Sequence, residues 1–208
     1  MFQNFIENCT FEIGNSLLTD LRIYINSLNP ISEIGWEALY PIFSEKTLLK
    51  GEYFIKENQV ATQIGFLQEG IIRAFYRSRE GVDYNKHFFV SPCFIGGYAS
   101  LITGAPNQIN QQALSDCKIL TANFSSFTDL YRDHPDIERV ARKLAEIFFV
   151  QKEQREIEIV LLDADRRYSL FQKQYPQLEQ QIPQYHIASY LGITPTQLSR
   201  IRRKRTGR

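Results

Sequence analysis

The chain has 208 residues, 43% of them hydrophobic and 23% charged, and a formal charge of +1. That length holds one large domain or two modest ones, and the composition is that of a globular protein rich in Tyr and Phe. The charge is split: residues 166–208 carry nine Lys or Arg and one acid, Glu179, while residues 1–165 carry fifteen bases and twenty-two acids. A basic segment joined to an acidic body is the footprint of nucleic-acid binding, and a solvated basic tail gives the same count.

The three cysteines, Cys9, Cys93 and Cys117, are odd in number and form no C-x-x-C pair. A disulfide framework and a structural zinc site are therefore not expected, and a reducing cytoplasm fits. The N-terminus lacks the basic and apolar regions of a signal peptide, and no stretch approaches the ~18 apolar residues of a membrane span.

In chain order, residues 1–14 carry no clear period. Asn15 or Ser16 caps a predicted helix whose apolar face is Leu18, Leu21, Ile25 and Leu28, and Asn29-Pro30 ends it. A second short helix after Ser32 carries Trp36, Leu39 and Phe43. From Thr47 to about Phe127 short strands alternate with turns. Leu49-Lys50-Gly51-Glu52 reads as strand then turn, as does Ile64 to Leu67 with Glu69-Gly70. Ile71 to Arg77 and Tyr84 to Val90 flank a hairpin loop, and Phe94 to Gly97 and Lys118 to Leu120 add further strands. Such spacing suggests a sandwich or barrel. After His134-Pro135 the period becomes helical, with Ile137, Ala141, Leu144 and Phe148 in one stripe and Val140, Ile147, Val150, Ile157 and Leu161 beside it. The predicted helix runs roughly 28 residues, about 42 Å at 1.5 Å per residue. Part of its broad apolar face is expected to cover the strands; for the rest a twin helix from a second subunit is the economical partner, and burial wholly within one subunit is the competing reading.

The C-terminal run Gln184 to Lys204 meets several demands of a helix-turn-helix at once. Ile187 and Leu191 form the inner face of a first helix, and Ala188 lets a second helix cross closely. Gly192 sits where the turn needs a left-handed backbone. Thr194 is a good N-cap, Pro195 suits the first helical position, and Gln197 completes a capping box. With Leu198 and Ile201 inward, a step of about 100° per residue sends Thr196, Ser199, Arg200 and Arg203 outward. Arg200 has the fork to read guanine O6 and N7. Thr194, Thr196, Ser199 and backbone N–H groups suit phosphates or nearby base edges. Arg202, Arg203, Lys204 and Arg205 add attraction that carries no sequence information. An ordinary packing hairpin is the competing reading.

This run resembles the cyclic-AMP receptor/Fnr superfamily of bacterial transcription regulators. Leu49-Lys50-Gly51-Glu52, Phe66-Leu67-Gln68-Glu69-Gly70, Phe94-Ile95-Gly96 and the long helix join it in that resemblance, which covers Leu28 to Lys204. It implies an α+β chain: an N-terminal β jelly-roll barrel with flanking helices, a long dimerisation helix, and a winged-helix-type helix-turn-helix with a short or absent final wing. The implied domains are a sensor over 1–132, a dimerisation helix over 133–165 and a DNA-binding domain over 166–208. The implied partners are double-stranded DNA at a pseudo-palindromic site, a second copy of the chain, RNA polymerase and a small-molecule effector, with no membrane partner. The DNA-facing residues under this reading are Thr194, Thr196, Gln197, Ser199, Arg200, Arg202, Arg203 and Lys204. Arg200 matches the family's base-contacting arginine, and Thr196 replaces a long acidic side chain common in relatives.

The sensor departs from the resemblance. The family's signature reads approximately Phe-x-Gly-Glu and, further on, Arg followed by Ser or Thr. Here Gly97 stands at the acid position, and Ala105-Pro106-Asn107-Gln108 supplies no cation. A buried phosphate without a positive partner binds poorly, so cyclic AMP is not the expected effector. Phe94, Gly96, Gly97, Tyr98, Asn107 and Gln108 are the candidate lining for another ligand, and the bland alternative is that they simply pack. No cofactor is expected, because three scattered cysteines do not supply an iron–sulfur cluster and His87 is a lone strand histidine. An enzyme of cupin type needs several histidines on a metal, and only His87 falls among the strands. The other competing reading is a sensory or protein-binding module with vestigial DNA binding.

Overall fold

The structure is a computed structural model that describes residues 17–205. The caps expected at Asn15 or Ser16, and Cys9, lie outside that range. Helices α1 (Leu17–Leu28) and α2 (Glu33–Leu39) come first, and Ser32 caps α2 by accepting from the Gly35 N–H. Strands β1 (Ser44–Leu48), β2 (Tyr53–Ile55), β3 (Gln63–Glu69), β4 (Ile71–Arg77), β5 (Asp83–Val90) and β6 (Cys93–Ile95) follow. A short helix α3 (Tyr98–Thr103) leads to β7 (Asn110–Ala113) and β8 (Cys117–Asn123), and no strand follows β8 among the described residues. The rest is helical: α4 (Phe124–Asp129), the long α5 (Pro135–Leu161), α6 (Ala164–Gln174), α7 (Leu178–Gln181), α8 (Gln184–Leu191) and α9 (Pro195–Arg205).

The strands form two four-stranded antiparallel sheets, β1-β8-β3-β6 and β2-β7-β4-β5, so of the two arrangements the strand spacing suggested it is the sandwich of packed layers, with no closed barrel among the described residues. Period-two side chains explain why layers suffice. On β3, β6 and β8, Ile64, Phe66, Phe94 and Leu120 face the helices, where they join Leu21, Ile25, Leu39, Ile137, Val140 and Leu144. The alternate residues, Leu67, Ile95, Cys117 and Ile119, face the second sheet and pack on Ile72 and Ala113. In this first sheet β3, β6 and β8 are therefore buried on both sides, which is why they read as apolar runs, while the edge strand β1 is mostly exposed. The second sheet has Ile72 and Phe89 inward and Ile71 and Phe88 outward. Its edge strand β5 is covered by α8 instead of being paired, which protects an exposed ladder without closing the sheet.

Gly70 makes the tight β3–β4 turn. Its φ is +109°, and an added Cβ would meet Cys117 Sγ at 2.6 Å and the Asp116 carbonyl at 2.7 Å. The long helix buries Ile137, Val140 and Leu144 in its first half. In its second half Phe149, Ile157 and Val160 are 65%, 53% and 79% exposed. At about 100° per residue these three share a sector of roughly 80°. No helix among the described residues is long and apolar enough to cross a membrane.

Candidate nucleic-acid interface

The α8–α9 pair is built as its sequence requires. Ile187, Ala188, Tyr190 and Leu191 of α8 are buried, as are Leu198 and Ile201 of α9. Gly192 closes α8 with φ +68° and ψ 34°, and its N–H returns to the Ser189 carbonyl at 3.2 Å. Thr194 and Gln197 form the reciprocal cap. The Gln197 N–H donates to Thr194 Oγ1 at 3.2 Å, and the Thr194 N–H donates to Gln197 Oε1 at 2.9 Å. Gln197 is thereby committed to starting the helix, although its side chain stays exposed.

Thr194, Thr196, Ser199, Arg200, Arg203 and Lys204 are all exposed on α9 or at its start, on the faces opposite Leu198 and Ile201. Two neighbouring cations are differently placed. Arg202 pairs with Glu179, Nε to Oε1, at 3.1 Å. Arg205 turns back onto α6, donating to the Asp165 carbonyl at 2.7 Å and to Ser169 Oγ, with its guanidinium 5.1 Å from the Tyr168 ring centre. A groove of about 270 Å³ beside the two helix starts is lined by Gln184, Pro195, Ser199 and Arg202.

Arginines from outside the motif hold it in place. Arg167 donates from Nε to the Leu191 carbonyl at 3.0 Å, satisfying an end of α8. Arg155 of α5 donates to the Tyr190 carbonyl and lies 3.9 Å above the Tyr190 ring, while pairing with Glu158 at 3.2 Å. Phe171, Tyr175, Tyr190 and Phe88 of β5 form one aromatic cluster with ring centres 5.3 to 6.3 Å apart.

The six effector candidates do not converge on one point. Phe94 faces the helix side, against Tyr24 and Phe66. Tyr98 and Gln108 are exposed. The Gly96 carbonyl accepts from Gln111 Nε2 at 2.7 Å. Asn107 is buried and tied down: its N–H donates to the Gln59 carbonyl at 2.8 Å and its carbonyl accepts from the Asn58 N–H at 2.7 Å. A side chain at Gly97 would meet Asn107 Oδ1 at 3.0 Å and Ala61 Cβ at 3.2 Å. Sequence reasoning missed Asn110 and Gln111, whose polar character hid a strand. Both are buried, and Asn110 Nδ2 and Gln111 Oε1 have no hydrogen-bond partner among the described residues. It also missed Arg73, Asp83, Asn85 and Ser189, which are joined to His186 across the seam between strands and C-terminal helices. Among the described residues no group of three or more His, Cys, Asp or Glu is placed to hold a metal ion.

Two packed sheets, a long helix and a basic helical pair at the end make up the described chain. Residues 45–134 match the family described as cyclic nucleotide-binding domain. No curated protein matches the chain by sequence. Several solved structures share its fold. FixK2 from Bradyrhizobium japonicum superposes with a TM-score of 0.69 at 16% identity, over 80% of this chain and 86% of that one. A protein described as a crp/fnr-family transcriptional regulator from Eubacterium rectale gives 0.67 at 16% identity, over 84% and 83%. The c-di-GMP responsive global regulator CLP from Xanthomonas campestris gives 0.65 at 11% identity, over 85% and 92%. The chain therefore shares its fold with these regulators, and its residues 45–134 match the cyclic nucleotide-binding domain.

Proposed function

We propose that the chain is a DNA-binding transcription regulator of the Crp/Fnr type, acting as a homodimer on a pseudo-palindromic site. The observation that carries this reading is the α8–α9 pair: a left-handed Gly192, a reciprocal Thr194–Gln197 cap, and Thr196, Ser199, Arg200 and Arg203 exposed opposite a buried Leu198–Ile201 edge. In this reading residues 1–132 are the sensor, 133–165 the dimerisation helix and 166–208 the DNA-binding domain. The sensor is a jelly roll, and RNA polymerase is the partner by resemblance. The chain works in the cytoplasm, without enzymatic activity. Similar folds belong to a global regulator of virulence gene expression and to a transcriptional regulator, which supports the same assignment.

Arg200 reads base edges, and Arg203, Lys204, Thr194 and Thr196 fix the helix on the phosphates. Arg202 contributes to that field while paired with Glu179, and Gln197 contributes chiefly by capping. The apolar sector of Phe149, Ile157 and Val160 is the dimer seam.

The effector is not cyclic AMP, or there is none. Gly97 offers no carboxylate for a ribose hydroxyl, and the space beside it is taken by Asn107. Calorimetric titration of the full chain with cyclic AMP is expected to give no saturable heat, and specific micromolar binding would overturn that statement. For the output, fluorescence anisotropy with palindromic and scrambled duplexes at matched salt tests the reading. Tight binding confined to particular sequences supports a regulator. Salt-sensitive binding indifferent to sequence would reduce α9 to a basic tail, and no binding would favour a protein-interaction module.

A further inference from the structure

The C-terminal helices are fastened to the outer face of sheet β2-β7-β4-β5, and the fastening is polar as well as apolar. Arg73 on β4 is only 5% exposed. Its Nε and Nη2 donate to Gln112 Oε1 on β7 at 3.0 and 2.7 Å, and Nη2 also donates to Asp83 Oδ2 on β5 at 2.9 Å. Its Nη1 lies 3.4 Å from His186 Nδ1 on α8 and 3.5 Å from Asn85 Oδ1. Asn85 continues the bridge, donating from Nδ2 to the His186 carbonyl at 3.1 Å and from its backbone N–H to Ser189 Oγ at 3.0 Å. The Ser189 hydroxyl donates to the Asp83 carbonyl at 2.6 Å. One buried cluster therefore spans β7, β4, β5 and α8.

A guanidinium only donates hydrogen bonds, so His186 Nδ1 must accept, and the imidazole is neutral with its proton on Nε2. Protonating it would set a second cation 3.4 Å from Arg73 inside a buried cluster and remove the acceptor. The groups facing His186 are Arg73 from β4, Asp83 and Asn85 from β5, and the Tyr185 ring 4.2 Å away on its own helix.

We propose that the Arg73–Asp83–Asn85–His186–Ser189 cluster is a proton-sensitive latch, holding α8 and α9 against the sensor sheet while His186 is neutral and releasing them when it is protonated. Burial, and then Arg73, push the His186 pKa down from 6.5 to about 4, with Asp83 opposing. A second imidazole lies at the same seam: His87 Nδ1 is 3.3 Å from the Tyr175 hydroxyl on α6, and burial, Lys86 and Arg155 bring it down to about 4. The released form binds protons that the docked form refuses. Docking is thus complete above pH 6.5 and weakens as pH falls from there toward 4, by about tenfold per pH unit for each imidazole. Asp83 stays charged through that range: burial alone would raise its pKa, but hydrogen bonds from Arg77 and Arg73 bring it below the usual carboxylate value.

Hydrogen exchange of the full chain, read by mass spectrometry at pH 7.5 and 5.5 and normalised to intrinsic amide rates, tests the latch without reference to DNA. Peptides covering residues 83–90 and 184–191 should lose protection together by about tenfold or more at the lower pH, while residues 63–69 in the buried sheet stay protected. His186→Gln keeps an acceptor but does not titrate, and it should shrink that step by about tenfold, leaving the share that His87 contributes. Ser189→Ala should raise exchange in both segments already at pH 7.5. Equal protection of the wild-type segments at the two pH values overturns the latch, as does an undiminished pH step in His186→Gln.

Discussion

Arg200, Arg202 and Arg205 lie within one and a half turns of α9, yet the fold gives them different tasks. Arg200 is exposed beside Ser199, Arg202 pairs with Glu179, and Arg205 folds back on Asp165, Ser169 and Tyr168. Arg200→Ala is expected to cost about 1–3 kcal/mol in specific DNA binding and to relax the preference at one base position. Unchanged preference in a binding series over single-base variants would remove Arg200 from readout. Arg205→Ala acts instead on folding, because it strips hydrogen bonds that tie α9 to α6. The cap is separable from both. Thr194→Ala should lower stability to denaturant by about 1 kcal/mol, and equilibrium unfolding by circular dichroism measures it. The Thr194–Gln197 cap was legible in the sequence because its partners are three residues apart. The inward turn of Arg205 was not, because its acceptors lie 36 and 40 residues away.

Among elements, those with strong apolar period emerged from the sequence and those with polar strands did not. The long helix α5, the strands β3, β4 and β5 and the α8–α9 pair all lie where the sequence pattern places them. Strand β7, with sequence Asn-Gln-Gln-Ala, was invisible, because amide side chains are poor strand formers by composition. Its burial becomes tolerable only once Gln111 reaches the Gly96 carbonyl and Gln112 receives Arg73, and these are partners that tertiary structure supplies. Strand β2, Tyr53-Phe54-Ile55, was missed for a different reason, since three residues are too few to show a period. The outer half of α5 carries its own prediction. A double substitution, Phe149→Glu with Val160→Glu, places four like charges in the seam of a dimer and leaves the buried Ile137, Val140 and Leu144 untouched. Sedimentation should shift it from dimer to monomer with helical content retained. A wild-type chain that is already a monomer would exclude the α5 seam.

For the whole molecule, charge and packing together show what the count of residues hid. The basic excess of residues 166–208 is partly spent within the protein, on Glu179, Asp165 and helix-end carbonyls, and what remains exposed on α9 is concentrated at Arg200, Arg203 and Lys204. The C-terminal helices share a continuous core with the second sheet through Ile71 and Phe88, so α9 is held by the strands and not by a free linker. The change from strands to helices was readable from the change of period after His134. The seam was not, because Arg73, Asp83, Asn85 and His186 are unremarkable apart and act only when 10 to 113 residues of intervening chain bring them together. In the proposed function the chain reads DNA sequence as a symmetric dimer. Selection of bound duplexes from a randomised pool, with the full chain at fixed salt, should then enrich a two-fold symmetric sequence whose half-sites are separated by about 34–36 Å, one helical turn, or a multiple of it. Recovery of a pool with no common sequence, or of a single unpaired half-site, would contradict it.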